Sequence, residues 1–422
     1  MIRKIKDMLL QLFATQVTTQ DSLSPEMKTF YDMTLIDEAA PQLVHDQFGQ
    51  KRPIPKGGGK VIEFRKFAPL QKALTALTEG VTPDGNSLTV TAVTAEVAQY
   101  GDYITQSDVL ELTALDNTIL EATKLLGRQA GLTLDTVVRN VLQAGTNVSY
   151  ASKWSGTTET EVTSRKDMNK TSLLKVDIVN QVVAKLRACN APTIDGYYIG
   201  IIHPYVAYDL MSDPAWVDAH KYAEPGNIYE GEIGKIGGVR FVQTTEAKIF
   251  AGEPLTALAR NLTVRSNVSS NASIPVKELI TSDDVAAFAA RDAADKKVWL
   301  DGTEVTVSAL VAGAAGSASI TLSAATSVSA DKIIAPIGGT ADGLSVFGSL
   351  IFGDGAYGVT EIQGGGLETI VKQKGSAGTA DPLNQRSSVG WKALKTAKIL
   401  IPDYLVRVES VSGRFSATAL AN

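Results

Sequence analysis

At 422 residues, 44% hydrophobic and 20% charged, the chain has ordinary globular composition and enough length for roughly two to three cores, which excludes wholesale disorder. Forty basic against forty-five acidic residues give a formal net charge of −5, without the broad basic excess of a dedicated nucleic-acid binder. The single cysteine, Cys189, excludes an intrachain disulfide framework and cannot build a thiolate metal cluster, so stability has to come from packing within or between subunits.

The opening MIRKIKDMLLQLFATQ places Ile2, Ile5, Met8, Leu9, Leu12 and Phe13 at helical spacing. Asp7 and Gln11 interrupt the apolar run, so the segment reads as a short amphipathic helix, not a signal peptide. No stretch approaches the roughly 20 apolar residues that span a bilayer. Residues 18–48 are mixed and polar and read as an extended arm with short helices. KRPIPKGGGKVIEFRKF then leads a Pro/Gly/Lys hinge into a strand, Val61 to Phe67, with period-two alternation. After the turn cluster LTEGVTPDGNS, the run LTVTAVTAEVAQYGDYITQ reads as one long strand or two in series. Together these predict a long hairpin, which two strands alone stabilise poorly, so it should lie on another surface.

Asp116 to Gly145 carries the strongest helical pattern: Ile119, Ala122, Leu126, Ala130, Leu134, Val137 and Val141 recur at steps of three or four. Asp116 or Asn117 suits the N-cap and Gly145 the stop, while Gly127 and Gly131 suggest a bend or a close contact. SLLKVDIVNQVVAKLRACNAP predicts a second helix, and GYYIGIIHPYVAYDLMSD a buried strand, Tyr197 to Ile202, feeding through His203 and Pro204 into a third. Val239 to Val242 reads as another strand, so this region is a mixed α+β domain. From about Leu255 to Gly343, Ala, Ser, Thr and Val dominate and charge thins out. There KKVWLDGTEVTV predicts a hairpin turning at Asp301-Gly302, within a small inserted β-rich domain. KILIPDYLVRVES closes the chain as a strand.

No chemistry-bearing constellation emerges. His45, His203 and His220 are scattered, and none has metal-ligand spacing. Cys189 follows a helix C-terminus, where the dipole disfavours a thiolate, and reads as a packing or incidental thiol. KGGGK lacks the spacing and the Ser/Thr of a phosphate-binding loop and reads as a hinge. Carboxylates form no pair singled out by spacing. Five N-x-[ST] matches, at Asn147, Asn169, Asn261, Asn267 and Asn271, are what a Ser/Thr-rich chain produces by chance. The expectation is a protein with no catalytic, cofactor or metal residues, and not an enzyme.

Four blocks, IIHPYVAYDLMSD, GEIGKIGGVRFVQT, LIFGDGAYGVTEI and DPLNQRSSVGWKALKTAKIL, resemble consecutive blocks of a tailed-bacteriophage major capsid protein family, in the same order. Upstream, TLIDEAAPQLVHDQFGQKRPIPKGGGKVIEFRKFAPL and LTEGVTPDG are similar to that family's arm and extended loop. The resemblance implies the α+β fold of tailed-phage capsid shells. It places an N-terminal arm at 1–55, an extended β-hairpin loop at 56–106 and a peripheral domain with a long spine helix at 107–174. An axial domain follows at 175–254 and resumes at 344–400, interrupted by the inserted β-rich domain at 255–343, which the family pattern leaves out. Residues 401–422 would return as a strand to the peripheral domain.

What the resemblance implies for function is self-assembly, as pentamers and hexamers, into an icosahedral head enclosing double-stranded viral DNA. It implies a virion location, synthesis in the host cytoplasm, scaffold, portal and decoration proteins as further partners, contact with packaged DNA without sequence readout, and no membrane. A secreted β-rich adhesin or surface-layer protein and a nanocompartment shell subunit are the alternative readings. A hydrolase assembled from distant residues has no motif behind it. Candidate inter-subunit or bracing residues are Pro83, Asp84 and Gly85 in the loop turn, with Gln385, Arg386 and Trp391 near the end. Gln385 and Arg386 offer directional hydrogen bonds, and Trp391 offers an anchor that serves equally in the chain's own core.

Overall fold

The computed structural model describes residues 35–36, 38–39, 43–55, 57, 59–67, 70, 72, 74, 76, 85, 87–88, 90–113, 118–220, 234–293, 295–361, 366–374, 383 and 385–422. The amphipathic N-terminal segment, Pro83 and Asp84 lie outside them. After β1 (Gln50–Lys51), the alternation in VIEFRKF forms β2 (Val61–Phe67), antiparallel to β3 (Val90–Glu96) in unbroken register from Val61 opposite Glu96 to Phe67 opposite Val90. The following run is two strands: Val97 interrupts it, and β4 (Ala98–Ser107) pairs far along the chain.

Helices α1 (Asp108–Thr113) and α2 (Thr118–Gln143) come next. In α2 the buried apolar row is Ala122, Leu126, Ala130, Leu134, Val138 and Leu142, steps of four throughout; Val137 and Val141, expected in the stripe, are half-buried. A second row beside it, Thr123, Gly127, Gly131, Asp135, Arg139 and Gln143, is buried too, although four of its members are polar. Gly127 marks a close contact: a Cβ there would lie 2.8 Å from the Leu35 carbonyl oxygen.

Beyond β5 (Val148–Tyr150) and the small hairpin of β6 (Lys153–Ser155) and β7 (Thr158–Thr160), α3 (Val176–Ala188) buries Val176, Ile178, Val179, Val182, Val183 and Leu186. Asn190, at φ +53, supplies the left-handed stop, and Cys189 beside it is exposed, not packed. Every residue of β8 (Tyr198–Ile202) is buried, and His203 then caps α4 (Pro204–Met211), whose first position is proline. The chain continues through α5 (Pro214–His220), β9 (Lys235–Ile236), β10 (Val239–Gln243) and β11 (Ile249–Phe250).

The Ser/Thr-rich stretch contributes β12 (Leu262–Thr263), β13 (Val268–Pro275), α6 (Ser282–Ala289), β14 (Lys297–Leu300), β15 (Thr303–Val311), β16 (Ser319–Val328) and β17 (Ile333–Pro336). Then follow β18 (Val346–Phe352), β19 (Tyr357–Glu361), β20 (Glu368–Lys372), β21 (Arg386–Ile399) and β22 (Leu405–Val411).

The chain divides into two compact units. One takes the described residues up to Gln47, Lys51–Val137 and Val359–Ala397. Its core joins Leu35, Leu126, Ala130 and Leu134 to Val389, Trp391 and Ala393, and β21 pairs antiparallel with β4 over ten residues, Arg386 opposite Ser107 to Lys395 opposite Ala98. The other takes Phe48–Gln50, Val138–Gly358 and Lys398–Asn422. Its main sheet runs β5-β22-β18-β8-β10-β9, with β11 also on β18, and β8 and β10 are parallel, as a strand–helix–strand crossover requires. Two segments are distributed differently from the order read along the sequence. Within 344–400, β18 joins this main sheet while β21 pairs with β4; and β22 pairs along its whole length with β18, and with β5 over three residues.

Within the same unit the Ser/Thr-rich stretch has its own six-stranded sheet, β12-β17-β14-β15-β16-β13, and its own apolar core from Leu255 to Ile334. Asp301 and Gly302, at φ +49 and +76, make the two-residue turn between β14 and β15, as the Asp-Gly pair predicts. Helix α6, which the sequence reading did not anticipate, starts with a capping box in which Thr281 and Asp284 satisfy each other's backbone N–H groups. Asp284 also accepts the Ala257 N–H at 2.7 Å. Burial opposes its charge, but the Thr281 hydroxyl and the N–H groups of Ala257 and Thr281 together hold its carboxyl below the usual range. Asp284→Ala is expected to destabilise the inserted sheet by about 2–3 kcal/mol, from a lost cap and an orphaned N–H, read as an earlier urea midpoint for that sheet.

Candidate assembly surface

Large apolar side chains are exposed repeatedly between Val61 and Val90: Val61, Leu70, Leu74, Leu88 and Val90, with Leu74 at 86%. Within the β2–β3 ribbon Phe64, in the middle of β2, and Ala95, near the end of β3, are buried. Elsewhere along it the ribbon offers apolar surface without a core, which is the composition of a surface made to be covered. Gly85 is exposed, with open space around its Cα.

The run around Trp391 is neither a turn nor a loop but the 14-residue strand β21. Ser387, Val389, Trp391, Ala393, Lys395 and Ala397 all point inward, one face of a period-two strand. Trp391 is 3% exposed, and its indole Nε1–H donates to Gln129 Oε1 at 3.3 Å. The Gln129 amide in turn donates to Asp102 at 2.6 Å. That bond, then the Tyr103 N–H, holds the Asp102 carboxyl below its ordinary range. Lys395, also inward, pairs with Asp46 at 2.8 Å. Gln385 and Arg386 are exposed at the start of the strand, where the Gln385 carbonyl accepts the Asp108 N–H at 3.0 Å. The structure therefore separates Trp391, in the interior, from Gln385 and Arg386, on the surface.

Buried polar groups that motif reading passed over brace each unit. In the first, Asp135 on α2 accepts the His45 N–H at 2.7 Å and lies 2.6 Å from His45 Nδ1, both side chains fully enclosed. In the second, Glu409 on β22 is fully buried and gripped by Arg165 through both carboxylate oxygens, at 2.7 and 2.5 Å. Arg407 stands 3.0 Å from the same carboxylate, and both guanidiniums lie over the Phe250 ring. Among the described residues no group of three or more His, Cys, Asp or Glu is placed to hold a metal ion, and no helix is long and apolar enough to cross a membrane.

His203 shows how tightly the main unit is packed. Its ring sits between Tyr205 and Phe347, 4.7 and 5.1 Å from their centroids, and its Nδ1 accepts the Tyr205 N–H at 3.1 Å. Burial pushes its pKa down from 6.5 to about 4, and a proton on Nδ1 would also abolish the cap. Between those values the unfolded chain binds a proton that the folded chain refuses, so stability falls as pH drops from 6.5 to about 4 and levels off below. After solvent screening the loss is about 1–2 kcal/mol. His203→Asn keeps a cap acceptor without titrating, so urea midpoints measured across that window should fall less for the variant than for the parent.

The sequence model of one protein family, described as phage capsid protein, matches residues 45–374. The chain belongs to the phage capsid protein family. The matched span includes 255–343, the block that the motif resemblance left out. The fold agrees with solved shells: the capsid of cyanophage Pam1 (TM-score 0.53, 13% identity, 95% of this chain and 97% of that one) and of Ralstonia phage GP4 (0.52, 11%, 94% and 96%). The cyanophage P-SCSP1u capsid aligns at 0.50 with 13% identity over 86% of each chain. No curated protein matches the sequence. The protein is thus a major capsid protein of the virion, forming the head shell by self-assembly, and the adhesin, surface-layer and nanocompartment readings are left without support.

Proposed function

We propose that the capsid protein closes its shell mainly through the β2–β3 hairpin, whose exposed apolar residues are covered by neighbouring subunits within pentamers and hexamers. The observation that carries this is the exposure of Val61 and Val90 on the ribbon and of Leu70, Leu74 and Leu88 in the stretch joining its strands, more apolar surface than two strands can bury. In this reading residues 1–55 are the arm, 56–106 the extended loop and α2 the spine of a peripheral domain, with the main seven-stranded sheet as the axial domain and 255–343 as an added surface domain. Pro83, Asp84 and Gly85 at the loop tip and Gln385 and Arg386 at the start of β21 face neighbours, while Trp391 braces its own chain. The inner face meets packaged double-stranded DNA through phosphate contacts without base readout, which a mildly acidic chain can supply from local lysines and arginines. Scaffold, portal and decoration proteins are its further partners, and no residue is assigned a catalytic role.

The test is a Leu88→Asp/Val90→Asp double variant, followed by size-exclusion chromatography and electron microscopy. The expected result is a subunit with the parent's unfolding midpoint that forms no closed shells. Shells at parental yield would reject the hairpin as an assembly contact.

A further inference from the structure

We infer that residues 412–422, which follow β22, are a latch that fixes the orientation of the inserted β-sheet. This concerns a single chain and stands apart from the shell contacts proposed above. The inserted sheet is entered through residues 251–261 and left through 337–345. The two connections cross backbone against backbone: a Cβ at Gly252 would lie 2.7 Å from the Ile337 carbonyl oxygen, and one at Gly338, whose φ is +138, would lie 2.7 Å from the Gly252 nitrogen. Two strands of chain crossing at one place make a hinge, and a hinge leaves a folded body free to swing.

The segment after β22 removes that freedom by tying the flanks of the hinge together. Ser412 N–H donates to Ser416 Oγ at 2.6 Å, which turns the chain back toward the junction. At the exit, Ser345 N–H donates to the Ser416 carbonyl at 2.8 Å, and Ser345 Oγ donates to the Ala419 carbonyl at 2.6 Å. On the entry side, Arg260 donates to Ser345 Oγ at 2.5 Å and, through its other terminal nitrogen, to the same Ala419 carbonyl. Ahead of the entry, Asn422 behaves like a strand residue: its Oδ1 accepts the Ile249 N–H at 2.9 Å and its Nδ2 donates to the Ala247 carbonyl at 3.0 Å, while Lys248 Nζ donates to the Asn422 carbonyl. One short segment thus holds the chain before the insertion, inside its entry and at its exit. Ser416 and Ala419 are buried under this arrangement, and the bonds from Arg260 are charge-assisted, so the latch is desolvated where it grips.

A second brace acts on the exit and on the sheet: Arg165 donates to the Gly338 carbonyl at 3.3 Å, Ala341 N–H donates to the Lys166 carbonyl at 2.9 Å, and Lys166 Nζ lies 5.8 Å over the Trp299 ring on β14. Its contacts reach the exit and β14 but do not tie entry to exit, so it cannot replace a latch that joins both. The inserted sheet has its own core, which takes in Leu255 from the entry connection, so loosening the latch should let it swing as a folded body about the Gly252–Gly338 crossing.

The experiment uses the full chain with spin labels on the native, exposed Cys189 and on Ala325→Cys at the exposed surface of β16, and reads the distance distribution between them. Two changes are compared with the parent: removal of Ala419–Asn422, and Arg260→Ala. Both should broaden the distribution at least about twofold, while amide protection across β14–β17 stays at the parental level. Unchanged widths in both would overturn the latch. So would loss of β14–β17 protection, which would make residues 412–422 part of the inserted sheet's folding core.

Discussion

Glu409→Ala is expected to cost about 3–5 kcal/mol of stability in the unit built on the main sheet, because it leaves two partly buried guanidiniums without their carboxylate. Glu409 lies on β22 between β18 and β5 and is fully buried. Arg165 binds it through two hydrogen bonds and Arg407 approaches within 3.0 Å, so two positive charges share one fully buried negative charge. Removing the carboxylate sets Arg165 and Arg407 against each other over the Phe250 ring with no way to shed their charge. Arg165→Ala should cost less, because Arg407 still balances Glu409 and Arg165 is partly exposed, so the guanidinium lost was already partly solvated. Glu409→Gln should fall between them, keeping an acceptor while losing the charge. Urea unfolding of the three variants gives the order directly. An Arg165→Ala loss equal to that of Glu409→Ala would show that the fork, not charge balance, does the stabilising.

Much of this fold is legible where local pattern and tertiary environment agree. VIEFRKF alternates and pairs as a strand; Asp301-Gly302 turns a hairpin; His203-Pro204 opens a helix. The sequence is less transparent where a buried row is polar. In α2 the row through Thr123, Asp135, Arg139 and Gln143 looks solvated by composition, yet each side chain is buried and held by a specific partner: the Ile119 carbonyl, His45, the Glu246 carbonyl and the Gly348 carbonyl. Except for Ile119, one helical turn before Thr123, these partners lie far away along the chain and leave no local signature. The same holds for β21, whose inward face includes Ser387, Lys395 and three small or β-branched residues. Its alternation was present to be read, but Lys395 breaks it on any hydropathy scale, and only the Asp46 carboxylate explains why a lysine is tolerated there. The division into two units was hidden for a related reason: β21 pairs with β4 across most of the chain length, and no short-range pattern records a strand's distant partner.

Trp391 therefore separates bracing from assembly. Trp391→Ala is expected to cost about 3–5 kcal/mol, because it empties a site walled by Leu126, Ala130 and Leu134 and leaves the Gln129 amide oxygen without its donor. Trp391→Phe refills most of the volume without the N–H and should cost about 1–2 kcal/mol, so the difference between the two isolates the ring from the hydrogen bond. Arg386→Ala, at an exposed position on the same strand, should change the unfolding free energy by less than about 0.5 kcal/mol while lowering shell yield. Measuring urea unfolding beside shell yield by electron microscopy for all three decides the matter. If Trp391→Ala folded as stably as the parent and lost only its shells, the indole would be an inter-subunit anchor despite its burial in the single chain. If Arg386→Ala assembled at parental yield, the start of β21 would lie outside the contacts that close the shell.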